Sequence, residues 1–394
     1  AGLVKLKLEE HHLERRVKLF THEAGEVVKA GCFQVEFIHV NHSIADAVAF
    51  AVKTPVGTLV FSGDFKIDAM AEDGMIDLAQ LGNEGVLAFL CDSTNVERPG
   101  FTPSERSVTD SFDRQFSGCR QRIIVTTFAS NAFRLQSLLN VAHKHGRKVA
   151  VTGRSMDILK VSTDLGYLKI PNNTLVDINA IKSLPKDKIV IVSTGSQGEN
   201  MSALYRMAFS GHRQVEIQAG DRVIISASAI PGNEKSISKI INELYRKGAD
   251  VVYDKLEGLH VSGHACQEEL KIMHALLHPR FFIPLHGEQR HLQAHARLAQ
   301  SMGMDAKNIF ISDIGKVLEL TKATCKWGGT VPAGKILVDG TGVGDVGSVV
   351  LRDRKHLAQD GMLVVVVNLS SEDGSVITGP DIITRGFVYV KESE

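Results

Sequence analysis

The stretch IIVTTFASNAFRLQSLLNVAHKHGRKVAVTG, residues 123–153, decides the fold class of this chain. A short apolar run, IIVTTF, is followed by a helical pattern, RLQSLLNVAHKHG, and then by a second β-like run, KVAVTG. Strands that alternate with helices are typical of βαβ units, whose strands lie parallel in one sheet. This part of the chain is therefore predicted to be an α/β domain with a parallel sheet.

The pattern continues beyond this stretch and changes at both ends. Further strands are predicted at KIVIVSTG (188–195) and RVIISASA (222–229), and a helix at SERSVTDSFDRQF (104–116). Before residue 104, apolar runs follow one another with few helices between them, as in a sandwich. A strand returns at FFIPLHG (281–287). We therefore expect a discontinuous first domain, an inserted α/β domain over about residues 105–275, and a third element from about residue 335.

Composition excludes several classes of protein. The chain has 394 residues, of which 43% are hydrophobic, enough for a large core in two or three domains. Lys+Arg and Asp+Glu are both 45, so no global basic field is expected and any polyanion site must be local. Its 5 cysteines show no CxxC spacing, and no apolar stretch reaches the roughly 20 residues of a membrane span. We expect a cytoplasmic protein with reduced thiols.

Four segments place a metal-binding or proton-moving residue directly after a β-like run. They are VNHS with His42, FSGDF with Asp64, VSGHA with His264 and PLHGE with His286. Imidazole nitrogens and carboxylate oxygens that converge from separate loops are the ligands of Zn²⁺ and Mn²⁺ sites. Together the four segments indicate a metallo-hydrolase.

Each residue also has a structural interpretation. His42 could be an ordinary surface or core histidine, and Asp64 a turn residue after Gly63. Asp92 in CDSTN could cap the following turn, and His264 could simply precede a helix. The combination of segments, rather than any one of them, favours the metal site.

Eight motifs occur in a fixed order along the chain: SGDF, CDSTN, TFASN, STGSQGE, IPGN, HVSGHACQEE, PLHGE and GPDIITRGFVY. With them the chain resembles the bacterial ribonuclease J family over its whole length. That family belongs to the metallo-β-lactamase superfamily and carries a β-CASP insertion. The resemblance implies an αββα sandwich interrupted by a parallel-sheet domain. It assigns 1–104 and 276–334 to the sandwich, 105–275 to the insertion, and 335–394 to a linker and the start of a C-terminal domain.

The resemblance also implies a site. Family members hold two metal ions with an HxHxDH segment and later His, Asp and His residues. On the matching motifs, the metal ligands are His42, Asp64 and His286, the acidic β-CASP residue is Asp92, and the catalytic histidine is His264. HxHxDH does not occur in the 394 residues. We therefore expect a fragment that lacks the N-terminal part of the sandwich and is inactive unless an upstream segment is restored.

The residue types fit phosphodiester hydrolysis. Two divalent ions sharing Asp64, zinc in the first place with Mn²⁺ or Mg²⁺ as alternatives, would polarise the phosphodiester and acidify a water molecule. His264 could protonate the leaving ribose oxygen, and Asp92 could orient a histidine. Small residues beside His264 at a helix start form a candidate phosphate cradle, which the resemblance makes a 5′-monophosphate pocket: Ser262, Gly263 and Ala265.

Four more residues follow strands at positions where α/β sheets bind anions: Ser228, Ser130, Asn131 and Arg134. For the last three, phosphate contact and helix capping or surface roles are about equally compatible with the sequence.

Two apparent motifs have structural explanations. His143 and His145 in HKHGRK mimic HxH, but they precede Gly146 at a predicted helix C-terminus, where the helix dipole favours imidazoles. Gly342, Gly344 and Gly347 spell GxGxxG, but SVVLRDR after them is β-like, whereas a dinucleotide site needs a helix. We interpret this segment as a linker.

The basic run from Arg352 to His356 is either a solvated face or a phosphate contact.

The sequence thus predicts a metal-dependent ribonuclease of the ribonuclease J type that acts from the 5′ end and internally. RNA with a 5′-monophosphate is the expected partner, and the full-length protein is expected to form a homo-oligomer. Two alternatives stay open at this point. One is a non-catalytic RNA-binding or assembly subunit with an incomplete metal site. The other is a dinucleotide-dependent oxidoreductase, if a helix follows Gly347.

Overall fold

The computed structural model describes residues 1–71, 79–128, 130–153, 155–230, 232–253, 258–339, 342–343 and 347–386. The chain divides into two compact units. The larger unit holds Ala1–Ser312 and Leu318–Trp327, and the smaller holds Asp313–Val317 and Gly328–Glu394.

The described helices are α1 Gly2–Glu10, α2 Ala79–Glu84, α3 Arg106–Phe116, α4 Ala132–Lys144, α5 Ser155–Asp164, α6 Ala203–Ala208, α7 Glu234–Arg246, α8 Gln267–Leu277, α9 Gln289–Ser301 and α10 Ser348–Asp360. The described strands are β1 Val27–Ala30, β2 Phe33–His39, β3 Val48–Thr54, β4 Gly57–Phe61, β5 Ala88–Asp92, β6 Ile123–Thr127, β7 Lys148–Val151, β8 Ile189–Ser193, β9 Arg222–Ser226, β10 Asp250–Val252, β11 Phe281–Leu285, β12 Lys316–Leu320, β13 Cys325–Thr330, β14 Val338–Asp339, β15 Gly342–Val343, β16 Met362–Leu369 and β17 Val376–Arg385.

The first sheet joins strands that are far apart in the sequence. Its order is β1-β2-β3-β4-β5-β11. The first four strands form an antiparallel meander, whereas β4 with β5 and β5 with β11 are parallel. Because β11 follows the long stretch that contains β6 to β10, the chain leaves this sheet after β5 and returns to its edge. The carboxyl ends of β4, β5 and β11 consequently lie side by side.

The stretch between these strands builds a second sheet. Its order is β10-β9-β6-β8-β7, and its neighbouring pairs are all parallel. The strands β6 and β8 are buried at every position, as expected for a parallel sheet covered on both faces. The predicted α/β fold class, with a parallel-sheet segment inserted between strands of the first sheet, is confirmed.

The part of the first sheet around β5 and β11 is covered on both faces. On one face, α8 and α9 contribute Met273, Leu270 and Ala299 to a core with Phe89 and Phe282. On the other face, the hairpin β12–β13 contributes Leu318, Leu320 and Cys325 to a smaller core. The helices, the sheet and these hairpin residues form successive layers.

The smaller unit corrects one prediction from the sequence. The segment SVVLRDR was predicted to be β-like, but it forms the start of α10. A dinucleotide site nevertheless does not follow. Gly342 lies within β15, which pairs with β14 in the antiparallel direction, whereas a dinucleotide fold needs a parallel βαβ unit. Gly344 lies outside the described residues, and the basic run from Arg352 is on α10.

Two buried histidines lie between α8, α9 and the first sheet. The Nε2 atoms of His274 and His295 are 3.4 Å apart, and both rings contact Phe282. Burial lowers the pKa of His274 to about 4, and burial and the neighbouring His274 lower the pKa of His295 well below its usual value. Both imidazoles are therefore neutral in the folded protein near pH 7.

Acid should destabilise the fold through this pair. The unfolded chain takes up protons below pH 6.5, whereas folded His274 does so only near pH 4. The contribution of neutral, buried His274 to the free energy of unfolding is thus fully present above pH 6.5. It is lost as the pH falls toward 4, and the total loss is roughly 3 kcal/mol. Urea unfolding of the wild type and of His274→Leu between pH 7 and pH 4 should show a shallower loss in the variant. Equal pH slopes would contradict this, and the exposed His356→Ala is the control.

In the part of the chain that is described, no helix combines the length and apolar character needed to cross a bilayer.

Candidate metal and catalytic centre

The predicted metal-binding and catalytic residues converge at the carboxyl ends of the parallel strands of the first sheet. Asp92 is the last residue of β5, His286 directly follows β11, and Asp64 comes three residues after the end of β4. Because these three strands run parallel and adjacent, their carboxyl ends present these side chains together. His42 follows β2, and His264 precedes α8.

The metal-binding atoms lie close together. Asp64, Asp92, His264 and His286 each offer one such atom, and all four atoms lie within 4.8 Å of one another. Asp64 is placed between two imidazoles, with Oδ1 at 3.6 Å from His286 Nε2 and Oδ2 at 3.9 Å from His42 Nε2. A carboxylate flanked in this way could hold a metal ion together with a neighbouring imidazole.

The ring of His42 is held in place through its Nδ1 atom. Its Nδ1–H donates to the carbonyl oxygen of Gly263 at 2.8 Å, which leaves the lone pair of Nε2 on the side of Asp64. Burial outweighs this hydrogen bond and lowers the pKa of His42, so the ring is neutral near pH 7. A neutral imidazole whose other nitrogen is fixed by a carbonyl is typical of metal-ligating histidines.

The contact requires glycine at position 263. A Cβ built on Gly263 would overlap the ring of His42. The backbone of the VSGHA segment can therefore approach His42 closely only without a side chain at this position. Nearby, His286 adopts a φ of +52°, a left-handed conformation that is uncommon for residues with a Cβ and often marks functional sites.

Asp92 and His264 form a hydrogen-bonded pair. His264 Nδ1 lies 2.7 Å from Asp92 Oδ2, and Asp92 is almost fully buried. Burial alone would raise the pKa of Asp92, but hydrogen bonds from His264 and Thr94 lower it below its usual value. Burial alone would lower the pKa of His264, but Asp92 raises it. The pair thus keeps the carboxylate ionised and leaves Nε2 of the imidazole available for proton transfer.

Neighbouring residues fix the orientation of this pair. The backbone N–H and the hydroxyl of Thr94 donate to Asp92 Oδ1 at 2.9 and 2.7 Å. The Nδ2 amide of Asn95 donates to the carbonyl oxygen of His264 and to Ser262 Oγ. Thr94 and Asn95 belong to the motif CDSTN, but no pattern in the sequence indicated these roles for them.

The backbone N–H groups of the predicted phosphate cradle already have hydrogen-bond acceptors within the protein. The backbone N–H of His264 donates to Ser262 Oγ, and that of Cys266 donates to the Glu269 carboxylate. The next two N–H groups, at the start of α8, donate to the carbonyl oxygens of Arg98 and Gly100. Ala265 is buried in the core. The helix start is therefore satisfied within the protein, and the loop rather than the helix terminus borders the centre.

Arg134 and Asn131 lie in the core of the inserted domain. The Arg134 guanidinium donates to Glu105, to the carbonyl oxygens of Ser226 and Val261, and to His260 Nδ1. All of its nitrogens are engaged, which favours a structural role over the phosphate contact predicted from the sequence. Asn131 caps α4, because its Oδ1 accepts the backbone N–H of Arg134 at 3.0 Å.

The other two predicted anion contacts have different surroundings. Ser130 is half-buried and directly precedes the cap of α4. Ser228 lines a cavity of about 450 Å³ beyond β9, together with Tyr245, Tyr253 and His260.

A polar cavity adjoins the centre on the side of His42. It has a volume of about 470 Å³, and its lining includes Asn41, Lys66, Asp68 and Tyr167. Lys66 and Asp68 are buried and form an ion pair at 3.1 Å. The sequence analysis did not identify this cavity, because its walls come from both the first sheet and helices of the inserted domain.

Family models match three successive parts of the chain. Residues 120–244 match the ribonuclease J β-CASP domain, 249–312 a Zn-dependent metallo-hydrolase RNA specificity domain, and 349–394 the ribonuclease J C-terminal domain. Fold, strand-end cluster and models thus define a metallo-hydrolase of the β-CASP class.

Similar proteins of known name identify the family within this class. Ribonuclease J2 of Bacillus subtilis is 42% identical over 100% of this chain and 72% of its own length. Ribonuclease J of Thermus thermophilus is 43% identical over 99% of this chain and 68% of its own length. Ribonuclease J of a Synechocystis species is 44% identical over 98% of this chain and 61% of its own length. The chain belongs to the ribonuclease J family.

A solved structure of a protein of unknown function from Enterococcus faecalis shares the fold. Its TM-score is 0.52 at 14% identity, and the match covers 79% of this chain and 67% of that protein.

Proposed function

We propose that this protein is a metal-dependent ribonuclease that degrades RNA in the 5′ to 3′ direction and also cuts internally. The observation that carries the proposal is the placement of Asp64, His286 and His42 beside the Asp92–His264 pair at one sheet edge. The names of the relatives, ribonuclease J and J2, and the RNA specificity model support RNA as the substrate.

The proposed ligands are His42, Asp64 and His286. Imidazole nitrogens and a carboxylate are a donor set that suits Zn²⁺, and Nε2 of both histidines faces Asp64. We propose two ions, zinc in the first place. When bound, they would polarise the phosphodiester and lower the pKa of a water molecule.

The proposed role of His264 is to give a proton to the leaving ribose oxygen. Asp92 holds Nδ1–H, so the proton to be transferred is on Nε2. Asp92 itself is a positioning residue that keeps the ring oriented and favours its protonated form.

We also propose the domain division 1–104, 105–275, 276–334 and 335–394, except that α8, which packs on the first sheet, goes with residues 276–334. It is supported by the sheet order, in which β5 and β11 pair although the five strands of the other sheet lie between them in sequence. Homo-oligomer formation by the full-length protein and a cytoplasmic location stay predictions from the sequence.

Ser262 and Gly263 are proposed to bind the 5′-terminal phosphate. A compact anion site close to the centre should accept one phosphate and reject a triphosphate. The full-length protein is therefore expected to degrade 5′-monophosphorylated RNA at least about tenfold faster than the triphosphorylated form. The measurement is the rate of mononucleotide release from RNAs of identical sequence, with a 5′-hydroxyl RNA as the control. Equal exonucleolytic rates on the monophosphate and the triphosphate would instead indicate a nonspecific backbone groove.

A further inference from the structure

Glu269 is a completely buried acidic side chain whose hydrogen-bond donors, among the described residues, are backbone N–H groups. Glu269 lies in the first turn of α8 and has 0% exposure. An ionised carboxylate at such a depth is costly unless donors surround it. The equally buried Asp221 of the inserted domain has the guanidinium of Arg122 as its partner.

The donors to Glu269 are backbone N–H groups from three separate segments. Oε1 accepts from Ile67 at 2.7 Å. Oε2 accepts from Thr102 at 2.7 Å and from Cys266 at 2.8 Å. The carboxylate therefore joins the segment after β4, the connection between β5 and α3, and the start of α8.

Each of these segments leads directly to the candidate centre. Ile67 comes three residues after Asp64, and Cys266 two residues after His264. The hydroxyl of Thr102 donates to the carbonyl oxygen of His264 at 2.7 Å. The bonds to Glu269 thus fix the backbone on both sides of the gap between His264 and Asp64.

We infer that Glu269 is a positioning residue that sets the distance between His264 and the metal-binding carboxylate Asp64. This inference rests on the proposed function, since it concerns the same reaction. Displacement of a catalytic group by as little as about 1 Å can cost a large part of the rate, because proton transfer and hydrolysis need near-contact geometry.

The test is Glu269→Gln in the full-length protein. Glutamine has the same shape, but its amide NH₂ would face an N–H group where the carboxylate has an oxygen, so the three bonds cannot all persist. We expect kcat to fall by about tenfold or more while KM for RNA stays within about twofold, because the loss affects geometry in the transition state rather than binding.

Asp221→Asn is the matched control. It removes the same charge from an equally buried acid, which directly precedes β9 in the inserted domain. We expect a comparable drop in the unfolding midpoint and a kcat within about twofold of wild type. Equal losses of kcat in both variants would make Glu269 a purely structural residue and overturn the inference.

Glu269→Asp provides a second route if Glu269→Gln does not fold. It keeps the charge but shortens the side chain by one methylene, so the carboxylate cannot reach the N–H groups of Ile67, Thr102 and Cys266 together. We expect kcat to fall by about threefold or more with KM unchanged. A wild-type kcat in whichever of the two variants folds would refute the role. Absence of RNA cleavage by the unsubstituted protein would instead refute the proposed function.

Discussion

Asp64→Ala is expected to remove most of the bound divalent metal and to lower the rate of RNA cleavage by about 10³-fold or more. Both carboxylate oxygens of Asp64 face an imidazole, at 3.6 Å from His286 and 3.9 Å from His42. A carboxylate in this position serves both proposed ions, so its loss weakens both sites together. The measurement is the metal content of the purified full-length protein, with the cleavage rate determined on the same sample.

Asp305→Ala is the control for this experiment. Asp305 is exposed and pairs with Lys307 far from the cluster in sequence, so its removal should leave metal content and activity unchanged. A wild-type metal content in Asp64→Ala would refute the assignment of Asp64 as a shared ligand.

His264→Ala is expected to lower kcat by about 10²-fold or more with normal metal content. The imidazole is proposed to donate a proton, and Asp92 already occupies its Nδ1. The metal measurement matters here because the Nε2 or Nδ1 atom of His264 lies within 4.8 Å of the donor atoms of Asp64 and His286. Loss of metal would make His264 a ligand, and full activity would exclude the proposed proton transfer.

Asp92→Asn tests the contribution of Asp92 separately from that of His264. The asparagine can still accept from Thr94, but it can no longer stabilise a positive charge on His264. We expect kcat to fall by about tenfold or more, with metal content again unchanged. A larger loss in the double variant with His264→Ala than in His264→Ala alone would show that Asp92 has a role independent of the histidine.

Much of the fold was predictable because local patterns and packing agree. The run IIVTTF became β6 and RLQSLLNVAHKHG became most of α4, in a sheet that is buried on both faces. The convergence of Asp64, Asp92 and His286 was also predictable, since adjacent parallel strands bring the residues at their carboxyl ends together. His143 and His145 lie at the end of α4, as expected for helix-terminal imidazoles.

One error came from a weak local preference. Val349 and Val350 suggested a strand, but β-branched residues disfavour a helix only weakly, and the segment is helical. Other features depend on tertiary contacts that the sequence does not reveal. The sequence left phosphate contact and a structural role for Arg134 about equally open, and the structure turns its side chain inward to Glu105. The role of Glu269 depends on Ile67 and Thr102, which are 202 and 167 residues away in sequence. No local pattern reports such contacts.

The most direct test of the central claim, a metal-dependent ribonuclease centre at the strand ends, is metal reconstitution. The full-length protein is stripped with a chelator, Zn²⁺ is added back stepwise, and cleavage of a 5′-monophosphorylated RNA is followed at each step. We predict that stripping abolishes cleavage, that activity returns and levels off near about two equivalents of metal, and that Asp64→Ala does not recover. Cleavage at the full rate after stripping, or equal recovery in Asp64→Ala, would contradict it.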